Sequence, residues 1–222
     1  MCGRFTLTTD LTSLQQQFDF DIAQELTPRY NIAPSQPVLT LTSEGGNKEG
    51  SMMRWGLIPF WAKDPKIGYK LINARAETVN EKASFKHAFK RRRCLILSDG
   101  FYEWQKTGGG KQPYRFVLKE RRPFAMAGLY EEWKQGNAPI TSCTIITTRP
   151  NELTKKVHDR MPVILPGDTY DTWLDPRMDD IEYLKSLLIP YDADKMDFYP
   201  VSTLVNSPKN DIAELLSPLN SL

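Results

Sequence analysis

Short alternating or apolar segments recur through most of this chain, and few helical patterns separate them. Strands are predicted at residues 4–8, 38–42, 52–57, 94–97, 114–118, 124–130, 142–147, 161–165 and 198–203. Parallel strands need long, usually helical crossover connections, which are scarce in this sequence. The order of the segments therefore predicts antiparallel β structure rather than a doubly wound α/β sheet.

Helical patterns are fewer and lie between the strand segments. They predict helices at residues 11–18, after the N-capping pair Thr9-Asp10, and at 77–89, 152–157 and 181–188. Residues 29–37 contain two prolines and are predicted to form an extended loop. At 222 residues, of which 40% are hydrophobic, the chain is long enough for one large domain spanning residues 1–222.

Cysteine usage and hydropathy limit the classes of protein to which the chain can belong. Its three cysteines, Cys2, Cys94 and Cys143, are odd in number and far apart, so we expect neither a disulfide framework nor a zinc site. Apolar neighbours make Cys94 a packing residue, and no motif calls for a metal or a cofactor. No apolar run approaches the roughly 20 residues that span a bilayer. We therefore expect a soluble, cytoplasmic protein.

The net charge of +2 conceals an uneven distribution of charged residues. The chain from Met161 onward holds 11 acidic and 4 basic residues, which leaves 16 acidic and 25 basic residues before it. A basic face that binds an anion such as nucleic acid is one interpretation, and a mixed solvated surface is the other. Along the predicted helix at 77–89 and just after it, Lys82, Lys86 and Lys90 form a stripe suited either to solvent or to a phosphate backbone.

Cys2 lies between Met1 and Gly3, a context that favours removal of the methionine. The processed residue would carry an α-amine with a pKa of about 8 and a thiol with a pKa of about 8.5, both close to neutrality. Such a 1,2-aminothiol captures an aldehyde twice, first as an imine and then as a thiazolidine ring. We therefore expect Cys2 to trap an aldehyde; the alternative is a small buried hydrophobic residue.

Other side chains have settings suited to proton transfer or to nucleic-acid binding. Glu103 lies among aromatic residues after a buried strand, where desolvation would raise its pKa; on an edge strand it would instead face water. His158 follows the helix at 152–157 and is either a proton carrier or a structural residue, whereas His87 lies within the basic helix. The loop aromatics Phe60 and Trp61 either anchor the core or stack on unpaired bases.

Six short motifs occur in order along most of the chain. They are Met1-Cys2-Gly3-Arg4-Phe5, Asn31-Ile32-Ala33-Pro34-Ser35-Gln36, Arg54-Trp55-Gly56-Leu57-Ile58-Pro59, Asn73-Ala74-Arg75-Ala76-Glu77-Thr78, Asp99-Gly100-Phe101-Tyr102-Glu103-Trp104 and His158-Asp159-Arg160-Met161-Pro162. Each motif is weak alone, but the combination is highly specific and resembles the SOS response-associated peptidase (SRAP) family.

The resemblance implies a compact α+β domain whose mainly antiparallel, β-barrel-like sheet carries peripheral helices. It implies a protein that binds single-stranded DNA and cross-links to abasic sites, whose ring-opened sugar presents an aldehyde, and so shields the lesion during the DNA damage response. By resemblance, Cys2 would form the thiazolidine, Asn73 would hold the linkage, Glu103 would act as general acid and base, and His158 would orient the sugar and assist proton transfer.

The resemblance also implies how the DNA is held. Arg4, Arg75 and Arg160 would contact phosphates, Trp104 would line the site, and Trp61 would act as a base-stacking wedge. The protein would act as a monomer without a metal, a cofactor or a membrane partner. Two alternatives remain at this point: a peptidase or amidase that uses Cys2 as an N-terminal nucleophile, and a non-enzymatic single-strand binding module.

Overall fold

The computed structural model describes residues 2–219, and thirteen strands and four α-helices lie within that range. The strands are β1 (Phe5–Leu7), β2 (Arg29–Ile32), β3 (Pro37–Glu44), β4 (Asn47–Trp55), β5 (Asn73–Arg75), β6 (Arg93–Ser98), β7 (Gly100–Thr107), β8 (Gly110–Leu118), β9 (Phe124–Trp133), β10 (Ile140–Thr148), β11 (Met161–Pro162), β12 (Ile164–Leu165) and β13 (Met196–Pro200). The helices are α1 (Leu11–Phe18), α2 (Lys86–Arg91), α3 (Tyr170–Leu174) and α4 (Ile181–Ser186). None of the helices in this range is long and apolar enough to cross a membrane.

The larger sheet closes on itself to form a small barrel. Its strands follow the order β10-β4-β3-β6-β9, and β9 pairs back with β10. The pairings of β10 with β4 and β5 are parallel, and the other ladders of this sheet are antiparallel. Closure satisfies backbone groups that would otherwise form open edges. Leu41, Leu95 and Ile145 are fully buried in the core that this sheet supplies.

The smaller sheet places the N-terminal strand between two others, in the order β13-β8-β7-β1-β2. All its ladders are antiparallel, and Phe5 of β1 lies opposite Phe101 of β7. The Tyr102 N–H donates to the Arg4 carbonyl at 2.9 Å, which continues this pairing toward the N-terminus. The predicted α+β fold, with a barrel-like, mainly antiparallel sheet and peripheral helices, is confirmed.

β2 corrects the expectation that residues 29–37 form only a loop. Residues 29–32 pair with β1, and the Asp211 carboxylate accepts the backbone N–H groups of Tyr30 at 2.5 Å and Asn31 at 2.9 Å. This carboxylate lies about 180 positions further along the chain. The sequence around residues 29–32 therefore could not indicate that Asp211 accepts the backbone N–H groups of this strand.

The helix predicted at residues 77–89 is wrong over most of its length. Helix α2 contains only Lys86–Arg91, and residues 77–85 form consecutive turns. These turns bury both Val79 and Phe85. On one helix, two residues six positions apart would point about 120° apart around the axis, too far apart for both to lie at the centre of one core face. Lys82 consequently lies outside α2, and the predicted stripe is reduced to Lys86 and Lys90.

Smaller differences separate the predicted segments from the observed ones. The helix predicted at 152–157 is a 3-10 turn at Thr154–Lys156, and the strand predicted at 161–165 is divided into β11 and β12. It divides because β11 pairs with β10 whereas β12 pairs with β9. Helix α4 is two residues shorter than predicted, β13 begins and ends earlier, and β5 and α3 were not predicted.

Gly56 lies just after β4, where two chain segments approach closely. Its φ is +127°, and an added Cβ would lie 2.6 Å from the Gly68 carbonyl oxygen. Because strain and clash act together, we expect Gly56→Ala to lower the free energy of unfolding by roughly 2–4 kcal/mol in urea titrations. Gly109→Ala is the control, since nothing lies within 4 Å of its added Cβ. Equal losses in the two variants would contradict this explanation.

Candidate active site

The main chain of Cys2 is fixed by a side chain from the other sheet. Cys2 precedes β1 and is completely buried, and Asn73 is the first residue of β5. Asn73 Nδ2 donates to the Cys2 carbonyl oxygen at 2.9 Å. Asn73 Oδ1 is also buried, and it has no hydrogen-bond partner among residues 2–219. Asn73 therefore holds Cys2 with one end of its amide and leaves an acceptor beside it.

Glu103 approaches the same segment from β7. Thr6 lies opposite Gly100, and continuing this antiparallel register places Glu103 opposite Gly3. The Glu103 side chain is almost fully buried, and this burial raises its pKa to about 8. The alternative that Glu103 faces water from an edge strand is therefore wrong. A carboxyl group with this pKa is mostly protonated at neutral pH and still able to ionise.

The thiol of Cys2 differs from its predicted state. Its burial, and after that the nearby Glu103 carboxylate, raise the thiol pKa well above its ordinary value. The expectation of a thiol that ionises close to neutral pH is therefore wrong for this chain. The sulfur atom is held as a neutral thiol, and a neighbouring base is needed to remove its proton.

His158 completes a group of four side chains that come from four separate segments. It follows the 3-10 turn at Thr154–Lys156, and its Nε2 lies 3.8 Å from Glu103 Oε2. Its Nδ1 accepts the backbone N–H of Arg160 at 3.1 Å. Burial lowers the pKa of His158 below its ordinary value, so the ring is neutral at pH 7. A neutral imidazole and a protonated carboxyl group thus face each other beside Cys2.

Arg4 and Trp104 flank this group and are tied to the segment that follows β13. Arg4 Nη1 donates to Asn31 Oδ1 at 2.8 Å and to the Val205 carbonyl at 2.6 Å. The guanidinium lies 5.7 Å from the ring centroid of Trp104. Trp104 Nε1 donates to Asn206 Oδ1 at 2.7 Å. Both side chains are therefore preorganised next to Cys2 by contacts within the protein.

Arg75 and Arg160 differ in the number of hydrogen bonds and ion pairs that their side chains make within the protein. Arg160 makes a bidentate ion pair with Glu77, at 2.7 and 2.9 Å, and also donates to the Thr147 carbonyl at 2.6 Å. Arg75 is exposed on β5, two residues from Asn73, and its guanidinium makes no hydrogen bond or ion pair with another residue in the range 2–219. Of the two, Arg75 has the guanidinium that is available to an incoming anion.

The aromatic loop after β4 is a surface feature. Phe60 is 46% exposed and Trp61 is 45% exposed, so the alternative that they anchor the core is wrong. Ala62 belongs to a small buried cluster against which Ile140, at the start of β10, is packed, whereas Asn73 pairs with Ile145, five residues along that strand. At about 3.3 Å per residue, the loop and Asn73 are separated by roughly 17 Å along β10.

The sequence indicated no role for Glu77 or Asn31, although each lies inside one of the six motifs. Asn31 is fully buried and donates to the carbonyls of Val205, Ser207 and Asn210 while accepting from Arg4. A polar residue beside the apolar pair Ile32-Ala33 was the available signal for Asn31. Nothing in the local sequence around Glu77 indicated its pairing with Arg160, 83 positions away.

Sequence comparisons show that this chain is similar to several known proteins. A family model described as SOS response associated peptidase (SRAP) matches residues 1–208. A Bacillus subtilis (strain 168) protein named abasic site processing protein YoqW is 53% identical over 222 residues, which cover 97% of this chain and 99% of that protein. The Gallus gallus protein named abasic site processing protein HMCES is 37% identical over 225 residues, which cover 86% of this chain and 66% of that protein.

The fold is similar to solved structures over nearly its whole length. A crystal structure of a Bacteroides thetaiotaomicron protein has a TM-score of 0.87 and 29% identity, covering 99% of this chain and all of that chain. A Bordetella bronchiseptica protein has a TM-score of 0.78 and 25% identity, covering 90% of this chain and all of that one. Because the family model spans nearly the full sequence and relatives exceed half identity, the chain belongs to the SOS response associated peptidase family.

Proposed function

We propose that this protein binds single-stranded DNA at abasic sites and forms a covalent thiazolidine cross-link through Cys2 after Met1 is removed. The main support is the hydrogen bond from Asn73 to the Cys2 carbonyl, which fixes that residue beside the buried carboxyl group of Glu103. The relatives named abasic site processing proteins support DNA with abasic sites as the substrate class. We further propose that residues 1–222 act as one domain and as a monomer.

The proposed reaction begins at the amine. The neutral α-amine of Cys2 adds to the aldehyde carbon of the ring-opened sugar, and the resulting carbinolamine loses its hydroxyl group as water to give an iminium. The sulfur atom then adds to the same carbon, and its proton leaves. The products are one thiazolidine ring and one water molecule. The amine attacks first in this order because burial keeps the thiol protonated.

Glu103 supplies and recovers the proton that these steps need. With a pKa of about 8, its protonated form donates to the departing hydroxyl group, and the carboxylate left behind accepts the thiol proton. Glu103 therefore ends the cycle as it began. His158 lies 3.8 Å from the carboxyl oxygen and steadies the sugar hydroxyl groups while assisting this transfer. Asn73 Oδ1, which is buried and has no hydrogen-bond partner among residues 2–219, would accept a hydrogen bond from the captured sugar.

The DNA backbone would follow the arginines around this group. Arg75 offers an unengaged guanidinium, and Arg4 stacked near Trp104 offers a fixed one. Arg160 would reach a phosphate only by sharing or leaving Glu77. Trp61 would stack on a base further along the strand, since its ring is exposed and unpaired bases stack well on aromatic surfaces.

The test is the formation of a heat-stable adduct with defined oligonucleotides. Purified protein is mixed with a single strand containing one abasic site, with an intact strand, and with a strand carrying a tetrahydrofuran abasic analogue that cannot open to an aldehyde. We expect a shifted band only with the true abasic strand. A DNA-binding module without chemistry would give none with any strand, and that result would overturn the proposal.

A peptidase with Cys2 as N-terminal nucleophile would have a different outcome. Such an enzyme would cleave amide substrates at a rate that depends on Cys2, without retaining DNA. Turnover of peptides in the absence of any abasic adduct would favour that alternative.

Arg75→Ala is expected to weaken non-covalent binding of single-stranded DNA and to flatten its salt dependence. Removing one phosphate contact lowers the slope of log K against log salt by about 0.7 on a single strand. Fluorescence anisotropy at several salt concentrations measures both quantities. Arg177→Ala, an exposed arginine beside Asp175, is the control and should leave the slope unchanged. An unaltered slope for the Arg75 variant would exclude this phosphate contact.

A further inference from the structure

Glu77 and Arg160 form a bidentate ion pair. Arg160 in turn contacts His158 of the proposed proton-transfer group through its backbone N–H. Both carboxylate oxygens are engaged, at 2.7 and 2.9 Å, and the pairing lowers the pKa of Glu77. Bidentate guanidinium–carboxylate pairs fix orientation as well as distance. The Arg160 guanidinium also donates to the Thr147 carbonyl at 2.6 Å, so the loop from residue 158 to 160 is fastened to the end of β10.

Two groups on the same loop lie within hydrogen-bond distance of His158 Nδ1. His158 Nδ1 accepts the backbone N–H of Arg160 at 3.1 Å. Asp159 Oδ1 also lies 2.9 Å from Nδ1. These two partners require opposite states, because Nδ1 must lack a proton to accept the amide but must carry one to donate to the carboxylate. The loop conformation therefore selects between two tautomers.

The selected tautomer matters for Glu103. With the Arg160 amide on Nδ1, the proton lies on Nε2, which faces Glu103 Oε2 at 3.8 Å. With Asp159 as the partner, Nε2 becomes a bare acceptor and draws a proton from Glu103. The exposed side chain of Asp159 would win this competition whenever the Arg160 amide moves away.

We propose that Glu77 is a positioning residue that, by holding Arg160, keeps His158 in the tautomer with its proton on Nε2 facing Glu103. The effect of Glu77 on the rate of DNA capture rests on the proposed function. The effect of Glu77 on the tautomer of His158 does not. The groups that bear on this ring are Glu103, 3.8 Å from Nε2, together with Asp159, Lys106 of β7 and the backbone N–H of Arg160. In the processed chain the amine of Cys2 would be a further charged neighbour. Glu77 is not one of these groups and acts on the ring only through the position of Arg160.

The direct test is nitrogen NMR of the histidine rings in the free, full-length protein. The chain has only His87 and His158, so a His87→Gln variant assigns both. We expect wild type to carry the proton of neutral His158 on Nε2. Glu77→Gln should move a substantial population to Nδ1 and shift the titration of His158 upward, since Asp159 then pairs with the ring. An identical tautomer and titration in the two proteins would overturn the inference.

A second measurement separates positioning from an electrostatic effect on DNA. At saturating abasic DNA, Glu77→Gln should slow covalent capture about tenfold, while non-covalent affinity for an intact strand stays equal or increases. The double variant Glu77→Gln/Asp159→Ala should recover most of the rate, because the competing side-chain acceptor is gone. If Glu77→Gln alters affinity alone, Glu77 merely competes with phosphate for Arg160, and the inference fails.

The two proposals fail in distinguishable ways. Absence of an adduct in wild type would reject the proposed function and leave the NMR result to decide the role of Glu77. Normal capture in wild type with unchanged His158 spectra in Glu77→Gln would reject only the positioning role. Because partly exposed ion pairs contribute little to stability, thermal melts of the variants should match wild type.

Discussion

Replacing Cys2 with alanine is expected to abolish the covalent adduct with abasic DNA while leaving non-covalent binding of single strands nearly unchanged. The amine remains in Cys2→Ala, so an imine still forms, but no sulfur atom is present to close the ring. Imines hydrolyse readily, and the adduct would not survive heating. Denaturing gels after heat treatment therefore measure the loss, which should be complete within detection.

A matched control is available within the chain. Cys143 is another fully buried cysteine whose thiol pKa is raised by burial, and it lies on β10. Cys143→Ala removes a similar volume and should cross-link as wild type does. A heat-stable adduct with Cys2→Ala, or its loss with Cys143→Ala, would contradict the assignment of the bond-forming residue.

Glu103→Gln is expected to slow capture by roughly 10²–10⁴-fold and, at the same time, to stabilise the protein at alkaline pH. The carboxyl pKa rises from 4.5 to about 8 on folding. A group with a raised pKa contributes its full stability below pH 4.5 and loses that contribution as the pH rises through 8. The loss is on the order of 4–5 kcal/mol as an upper limit, and glutamine avoids it because it stays neutral.

Urea titrations at pH 5 and pH 9 measure this effect. The free energy of unfolding of Glu103→Gln should exceed that of wild type at pH 9, with a smaller difference at pH 5. Glu25→Gln, at an exposed position, is the control and should follow wild type at both values. Parallel pH profiles for wild type and Glu103→Gln would show that the carboxyl group is not desolvated and would remove the basis for its proton-transfer role.

The sequence indicated the elements that depend on local pattern. Alternation and turn residues predicted most of the strands, and the aromatic neighbours of Glu103 predicted its desolvation, because these signals arise within a few residues. The extent of α2 was wrong because Val79 and Phe85 are both buried through turns rather than through one helical face.

Contacts between distant segments account for what the sequence did not indicate. β2 is organised by Asp211, and Arg160 is held by Glu77, across 180 and 83 positions respectively. The burial of Cys2 was weighed only as an alternative to reactivity, yet the residue is both buried and adjacent to Glu103. Residue types thus predicted which side chains have suitable chemistry, and only the fold determined their protonation states.

The amino-acid context of Arg93 illustrates the same limit. Arg93 is the first residue of β6 and directly follows the basic residues Lys90, Arg91 and Arg92. In the fold it is buried, donates to the carbonyls of Phe89 and Trp173, and has its pKa lowered to about 10 by burial. The Arg93 side chain therefore hydrogen-bonds to carbonyl groups at helix ends and is not exposed for DNA binding.

The thiazolidine cross-link at Cys2 is tested by the intact mass of the adduct, measured before and after borohydride treatment. We expect protein lacking Met1, plus one abasic strand, minus one water molecule, with no mass gain on borohydride treatment because a thiazolidine lacks the reducible C=N bond of an imine. A peptide map should place the modification on Cys2. An adduct that gains two hydrogen atoms on reduction, or one formed by protein that retains Met1, would contradict the account.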